Sequence, residues 1–265
     1  MKIIVCIKQV PESTTEMDWK TGNIIRSQSR SILNPYDRYA IETALTLREK
    51  MGGHISAITM GPETASQILK EAISFGIDEG ILISDRSFAG ADVYATAYTL
   101  CQAIKKIGDF DMIICGQQST DGDTAQLPSS LASMLDIPSF SWVRKVLEID
   151  SSGVTVSATL SEKSAIYKSS YPVLLSVENE SNVPRVATLK GKISAKTVKI
   201  KRFSLVDFDD SDPQNYGLSA SPTKVLKIIN QTFDLKSRPL VLEPDDAARF
   251  ILKGLKEGFI KDDEI

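Results

Sequence analysis

The chain has 265 residues, 42% hydrophobic and 25% charged, with a net charge of −3, the profile of an ordinary globular protein, long enough for one large α/β domain plus extensions or for two small domains. Such a charge predicts neither bulk nucleic-acid binding nor attraction to an anionic membrane, and no apolar stretch approaches the roughly 20 residues of a membrane span. With three cysteines outside any CxxC spacing and one histidine, the chain has no sequence sign of a metal centre.

Lys2–Val10 is a mostly apolar run and reads as a strand buried on both faces. Met17–Arg26, with its Lys20-Thr21-Gly22-Asn23 turn, reads as a hairpin or excursion. Asn34-Pro35 then marks a helix start, Asn34 as N-cap and Pro35 at the first helical position. Ala40, Ile41, Ala44, Leu45 and Leu47 give that helix a buried face up to Gly52-Gly53. His54 follows as a loop residue. Ile55–Met60 is the next strand, with a helix from about Thr64 to Gly76. Gly80–Ser84 is a third strand, and Asp92 caps a helix closed by Gly108. Met112–Cys115 is a fourth apolar run. Strand and helix alternating four times predicts a Rossmann-like parallel sheet flanked by helices, with ligands beyond the carboxyl ends of the strands.

After Met112–Cys115 come Gly116-Gln117-Gln118-Ser119-Thr120-Asp121-Gly122-Asp123-Thr124-Ala125-Gln126 and the helix face of Leu127, Leu131, Met134 and Leu135. Two readings stand side by side. A loop with bare glycines entering a helix offers unpaired N–H groups to a phosphate. Alternatively, Asp123 and Gln126 form a capping box, and the loop binds nothing. It matches neither GxGxxG nor a P-loop. Cys6, Cys101 and Cys115 sit in apolar runs and read as buried, reduced thiols, consistent with cytoplasmic residence. With so few nucleophiles and bases in view, redox or group-transfer chemistry here would be carried by a bound cofactor.

Beyond Pro138, Ser141–Asp150 and Val154–Leu160 read as an antiparallel hairpin, and Val173–Val177 as a further strand. Asn179 to Arg202 reads as a polar, basic loop. Asp207–Asp212 with Pro213 reads as a linker. Amphipathic segments near Thr223–Phe233 and Asp245–Phe259 read as an arm, too thin to fold alone. This divides the chain into a nucleotide-binding α/β domain with a small antiparallel addition, residues 1–205, and a C-terminal arm, residues 206–265.

Four segments together resemble the beta (small) subunit of electron transfer flavoproteins. They are Cys6-Ile7-Lys8-Gln9-Val10-Pro11, Asn34-Pro35-Tyr36-Asp37, Asp121-Gly122-Asp123-Thr124-Ala125-Gln126, and Asn182-Val183-Pro184-Arg185-Val186-Ala187-Thr188-Leu189-Lys190. The resemblance implies an adenine-nucleotide-binding fold paired with an FAD-carrying alpha subunit, on which the arm would pack. It implies a nucleotide pocket made of Cys6, Asn34, Pro35, Tyr36, Asp37, Met60 and the run from Gly116 through Leu127. Conventional members hold AMP there. Bifurcating members hold FAD, which takes hydride from NADH and divides the electrons between ferredoxin and, through the alpha-subunit FAD, a flavin-containing dehydrogenase. The Asp-Gly-Asp-Thr-Ala-Gln form resembles the bifurcating branch, and Gly122 would leave a dinucleotide backbone room. The resemblance also implies that Leu189 anchors on the dehydrogenase, with Lys190, Lys192 and Lys196 steering. Leu127-Pro128-Ser129, Val186 and the stretch Ser157–Ser170 depart from the family pattern.

Overall fold

The computed structural model describes residues 1–12, 31–161, 163–223 and 241–257. The expected excursion at Met17–Arg26 and the segment at Thr223–Phe233 lie outside them, apart from Thr223 itself. Residues up to 223 form one compact unit; residues 241–257 belong to a second.

In the first unit β1 (Lys2–Cys6) runs parallel to both β4 (His54–Met60) and β6 (Met112–Gly116). β5 (Glu79–Ile83) continues the parallel sheet beyond β4, and β11 (Lys201–Phe203) closes that edge. On the other side β10 (Val173–Val177) pairs with β6 and with β7 (Ser139–Ile149). β8 (Gly153–Leu160) and β9 (Lys163–Ser170) add antiparallel strands, so the sheet reads β11-β5-β4-β1-β6-β10-β7-β8-β9. A separate antiparallel pair joins β2 (Gln9–Pro11) and β3 (Ser31–Leu33). The Rossmann-like parallel sheet expected from the alternating pattern is therefore present, with β9 as an added strand.

Alternation along β1 divides the core. Ile3, Val5 and Ile7 pack with α1 (Pro35–Met51) and α2 (Ser66–Phe75) on one face. Ile4 and Cys6 pack with α3 (Val93–Ile107) and α4 (Leu127–Leu135) on the other. A strand covered on both faces has no polar side to show, which is why these runs are continuously apolar. Each fully buried Leu or Ile contributes on the order of 1.5–3 kcal/mol relative to exposure.

Two expectations give way here. Asp207–Asp212 is no linker, because Phe208 within it and Tyr216 just after it are buried, with Tyr216 against Phe88 and Tyr98. The basic stretch is not all loop, since Leu189–Thr197 forms a helix, α5, capped by the Thr188 side chain accepting from the Gly191 N–H at 3.0 Å. A short helix, α6 (Gly217–Ala220), ends the first unit. In the second unit α7 (Pro244–Glu257) matches the second amphipathic segment, with Phe250, Ile251 and Leu252 exposed.

Candidate functional site

β1 is the point at which strand order reverses. The chain moves outward from it through β4 and β5, then returns to its other side as β6. A crevice opens at such a reversal beyond the carboxyl ends of the strands. Cys6 ends β1 in register with Cys115 of β6, and Met60 ends the neighbouring β4. The start of α1 and the loop into α4 stand at the same edge. The expected pocket residues are thus carried by neighbouring strand ends and the two helix starts beside them.

Gly116 explains how closely these pieces approach. A Cβ at this position would lie 2.5 Å from Asp37 Oδ1 and 2.8 Å from the Tyr36 carbonyl carbon, so only glycine lets α1 sit on the end of β6. Asp37 is buried. Its Oδ2 accepts the Lys8 N–H at 2.7 Å and its Oδ1 accepts the Asn34 Nδ2 at 2.9 Å. Burial pushes its carboxyl up to about 7, and the donors from Lys8, Asn34 and Gly116 offset only part of that cost. The Cys115 thiol is raised too, through its hydrogen bond with Cys6 and its burial, so neither its geometry nor its acidity suits a nucleophile.

Asn34 occupies the expected N-cap position of α1, but its side chain caps nothing. Its Nδ2 donates instead to the Gln118 carbonyl at 2.9 Å, besides Asp37, and its Oδ1 accepts from the Thr120 N–H at 3.4 Å. Pro35 supplies the fixed φ that starts the helix without a cap.

The loop itself corrects the capping-box expectation. α4 begins only at Leu127, its N-cap Gln126 makes no side-chain cap, and Asp123 lies in the left-handed region at φ 50°. Asp123 accepts from the Gln118 side chain, and its own N–H donates to the Ser119 carbonyl at 2.9 Å. Ala125 is also left-handed, at φ 53°. Two non-glycine residues in that region cost on the order of 1–3 kcal/mol each, a strain that gathers at ligand-holding loops. Among the described residues, the N–H groups of Thr124, Ala125, Gln126 and Leu127 donate to no protein acceptor. Asp121 and Gly122 are exposed, while Gln117 is buried and its Oε1 accepts the Asn179 N–H at 3.1 Å.

Lys8 joins the candidate site, although the sequence singled it out only as part of the resembling segment Cys6–Pro11. Its Nζ reaches Asp121 Oδ1 at 2.7 Å and Ser119 Oγ at 3.5 Å, linking the exit of β1 to the loop after β6. Burial raises the Asp121 carboxyl, but the Lys8 and Ser119 bonds outweigh it and leave the group low. Its position just after an apolar strand was the available signal.

A second surface lies on the segment before α5. Asn182 Nδ2 donates to the Tyr39 carbonyl and Thr43 Oγ1, both at 3.0 Å. Arg185 forks onto Glu42, Nε to Oε2 and Nη2 to Oε1 at 2.9 Å each, and reaches Glu49 at 2.7 Å. These bonds pin the segment to α1 while Val183, Val186 and Leu189 stay exposed, Leu189 at 76%. Lys190, Lys192 and Lys196 are exposed on α5, with no ion pair among the described residues.

Comparison with known proteins agrees with this arrangement. The model of the electron transfer flavoprotein domain matches residues 21–208. The electron transfer flavoprotein subunit beta of Thermoanaerobacterium thermosaccharolyticum is 43% identical over 227 residues, covering 85% of this chain and 86% of that protein. Subunit CarD of the caffeyl-CoA reductase-Etf complex of Acetobacterium woodii is 38% identical, covering 86% of this chain and 87% of its own. Protein FixA of Sinorhizobium fredii is 37% identical, over 88% of this chain and 84% of its own. The chain therefore belongs to the electron transfer flavoprotein family, as a beta subunit.

Proposed function

We propose that the loop of residues 116–127 holds the diphosphate of FAD, and that this chain is the beta subunit of an electron-bifurcating flavoprotein. The observation that carries the reading is the set of unpaired N–H groups from Thr124 to Leu127 at the start of α4, on a strained loop beside the strand reversal. Their chemistry fits a phosphate-bearing group. A Cβ on Gly122 would meet only Ser119 Oγ, at an ordinary 3.4 Å. The fold therefore makes no demand for glycine there, and a glycine would leave a bulky ligand room close to the backbone.

FAD bound here would supply the acceptor for hydride from NADH and the branch point toward ferredoxin and, through the alpha-subunit FAD, a partner dehydrogenase. The chain's own residues bind and orient. Gly116 lets α1 close on β6, Asn34 and Lys8 hold the loop, and Cys6, Tyr36 and Met60 stand at the crevice. The nicotinamide site is shared with the alpha subunit. The relative named as part of a reductase-Etf complex supports this branch. The alternative, a conventional carrier with AMP in the same loop, rests on the same N–H groups, because AMP also presents a phosphate to them.

Releasing and identifying the nucleotides of the purified heterodimer decides between them. Two FAD per heterodimer are expected; one FAD with one AMP would replace this reading by the carrier. No helix among the described residues is long and apolar enough to cross a membrane, and we place the complex in the cytoplasm.

A further inference from the structure

We infer that Asn34 and Asp37 are positioning residues: a buried clasp that holds the nucleotide loop in shape from behind, rather than a part of the surface that touches the ligand. This rests on the reading of residues 116–127 as a nucleotide loop, whichever nucleotide it takes.

The geometry is specific. Asn34 and Asp37 are 1% and 5% exposed, so neither presents much surface to a ligand. At a helix start, an asparagine ordinarily turns its oxygen onto the second or third N–H of its own helix. Here the Oδ1 faces the Thr120 N–H, and the Nδ2 bridges Asp37 Oδ1 and, 84 positions along the chain, the Gln118 carbonyl. In its ionised form Asp37 sets which way the amide points, because a carboxylate oxygen can only accept and must face the NH2 side. The same carboxylate accepts the Lys8 N–H, and the Gly116 N–H bonds it as well. One buried acceptor thus connects the exit of β1, the end of β6 and, through Asn34, the first turn of the loop.

The groups facing the pair are Lys8 from the exit of β1, Cys115 of β6 with Cys6 behind it, and, across the loop, Asp121 on Lys8 and Asp123 on Gln118. Lys8 is the one cation among them. A second carboxylate beside Asp37 would therefore have to keep a proton.

The test uses the nucleotide-loaded heterodimer and follows nucleotide release. Asn34→Ser keeps a good N-cap for α1 but cannot bridge Asp37 and Gln118. Release at least about tenfold faster is expected, because both bonds from Asn34 to the loop are lost. In Asn34→Asp two protons must replace the two of the amide: in acid solution the new carboxyl donates its own to the Gln118 carbonyl and accepts one from Asp37, and in alkaline solution neither is held. Relative to the unaltered protein at the same pH, release should be near normal at about pH 5.5 and approach the Asn34→Ser rate at about pH 8. An Asn34→Ser variant that releases at the ordinary rate, or an Asn34→Asp variant whose rate relative to the unaltered protein is the same at every pH, would overturn the clasp. If neither variant folds, amide exchange in the unaltered heterodimer decides. The Lys8, Gly116 and Thr120 N–H groups should open as one unit, and Thr120 exchanging freely while the other two stay protected would overturn it. A heterodimer carrying no nucleotide in this chain at any pH would instead remove the loop reading itself.

Discussion

At the scale of single residues, Gly116 and Asp37 show how little freedom the crevice leaves. Gly116→Ala puts a methyl group 2.5 Å from a buried carboxylate oxygen and 2.8 Å from backbone that begins a helix. Neither neighbour can move cheaply, so a loss of about 1–3 kcal/mol by denaturant unfolding is expected, together with loss of bound nucleotide. Asp37 makes a separate, signed prediction. Its folded value of about 7 lies above the ordinary 3.8, so the folded state holds a proton that the unfolded state has lost between those values. Stability should accordingly fall as pH rises from about 4 to about 7 and then level off, by a few kcal/mol in all. Asp37→Asn should lack that slope whatever its offset. Parallel unfolding curves for the two proteins across that range would refute the buried-acid assignment. Asparagine at 34 and aspartate at 37 stood out in the sequence as candidates, but what each side chain bonds did not. A helix-start pattern implies a local cap, and the loop partners of Asn34 lie more than eighty residues away.

At the scale of elements, the segment before α5 separates holding from docking. We propose that Leu189, with Lys190, Lys192 and Lys196, meets the dehydrogenase. Leu189→Ala is expected to slow electron delivery while leaving stability within about 0.5 kcal/mol, because a side chain 76% exposed loses little on truncation. Arg185→Ala should do both. It leaves the largely buried Glu42 side chain without its fork and frees the segment from α1, lowering stability by about 1–3 kcal/mol. Steady-state electron transfer with thermal melts of each variant distinguishes the roles, and equal effects of the two would sink the distinction. α5 escaped a periodicity reading because most of its residues are exposed and only Ala195 is buried. Its start comes from the Thr188 cap. Its placement comes from Gly191, where a Cβ would lie 2.2 Å from the Ser74 carbonyl oxygen of α2. The late start of α4 escaped for another reason. Asp and Gln three apart suit a capping box, yet left-handed backbone at Asp123 and Ala125 delays the helix to Leu127.

At the scale of the whole molecule, the proposed nucleotide would couple binding to folding. A loop carrying strained residues and unpaired donors would be stabilised by a ligand held there. Removing the nucleotide from the heterodimer is expected to lower its melting temperature, and adding it back at about a hundred times its dissociation constant should restore about 2.7 kcal/mol. No shift on removal would mean that the loop is equally content without it. We further propose that the second unit, in which α7 lies, packs its exposed Phe250, Ile251 and Leu252 on the alpha subunit.

The amino-acid order by itself determined the alternating sheet and helices, the two-sided burial of β1 and β6, and the place of the loop at the strand ends. Those follow from local periodicity and from where glycine and proline must fall. Only the tertiary structure decided that Asn34 serves the loop instead of its helix, that Lys8 reaches Asp121, and that Phe208 and Tyr216 complete the core where a linker was expected. Each of these joins residues far apart in the chain, and the energy of such a contact is absent from any window of sequence that contains only one partner.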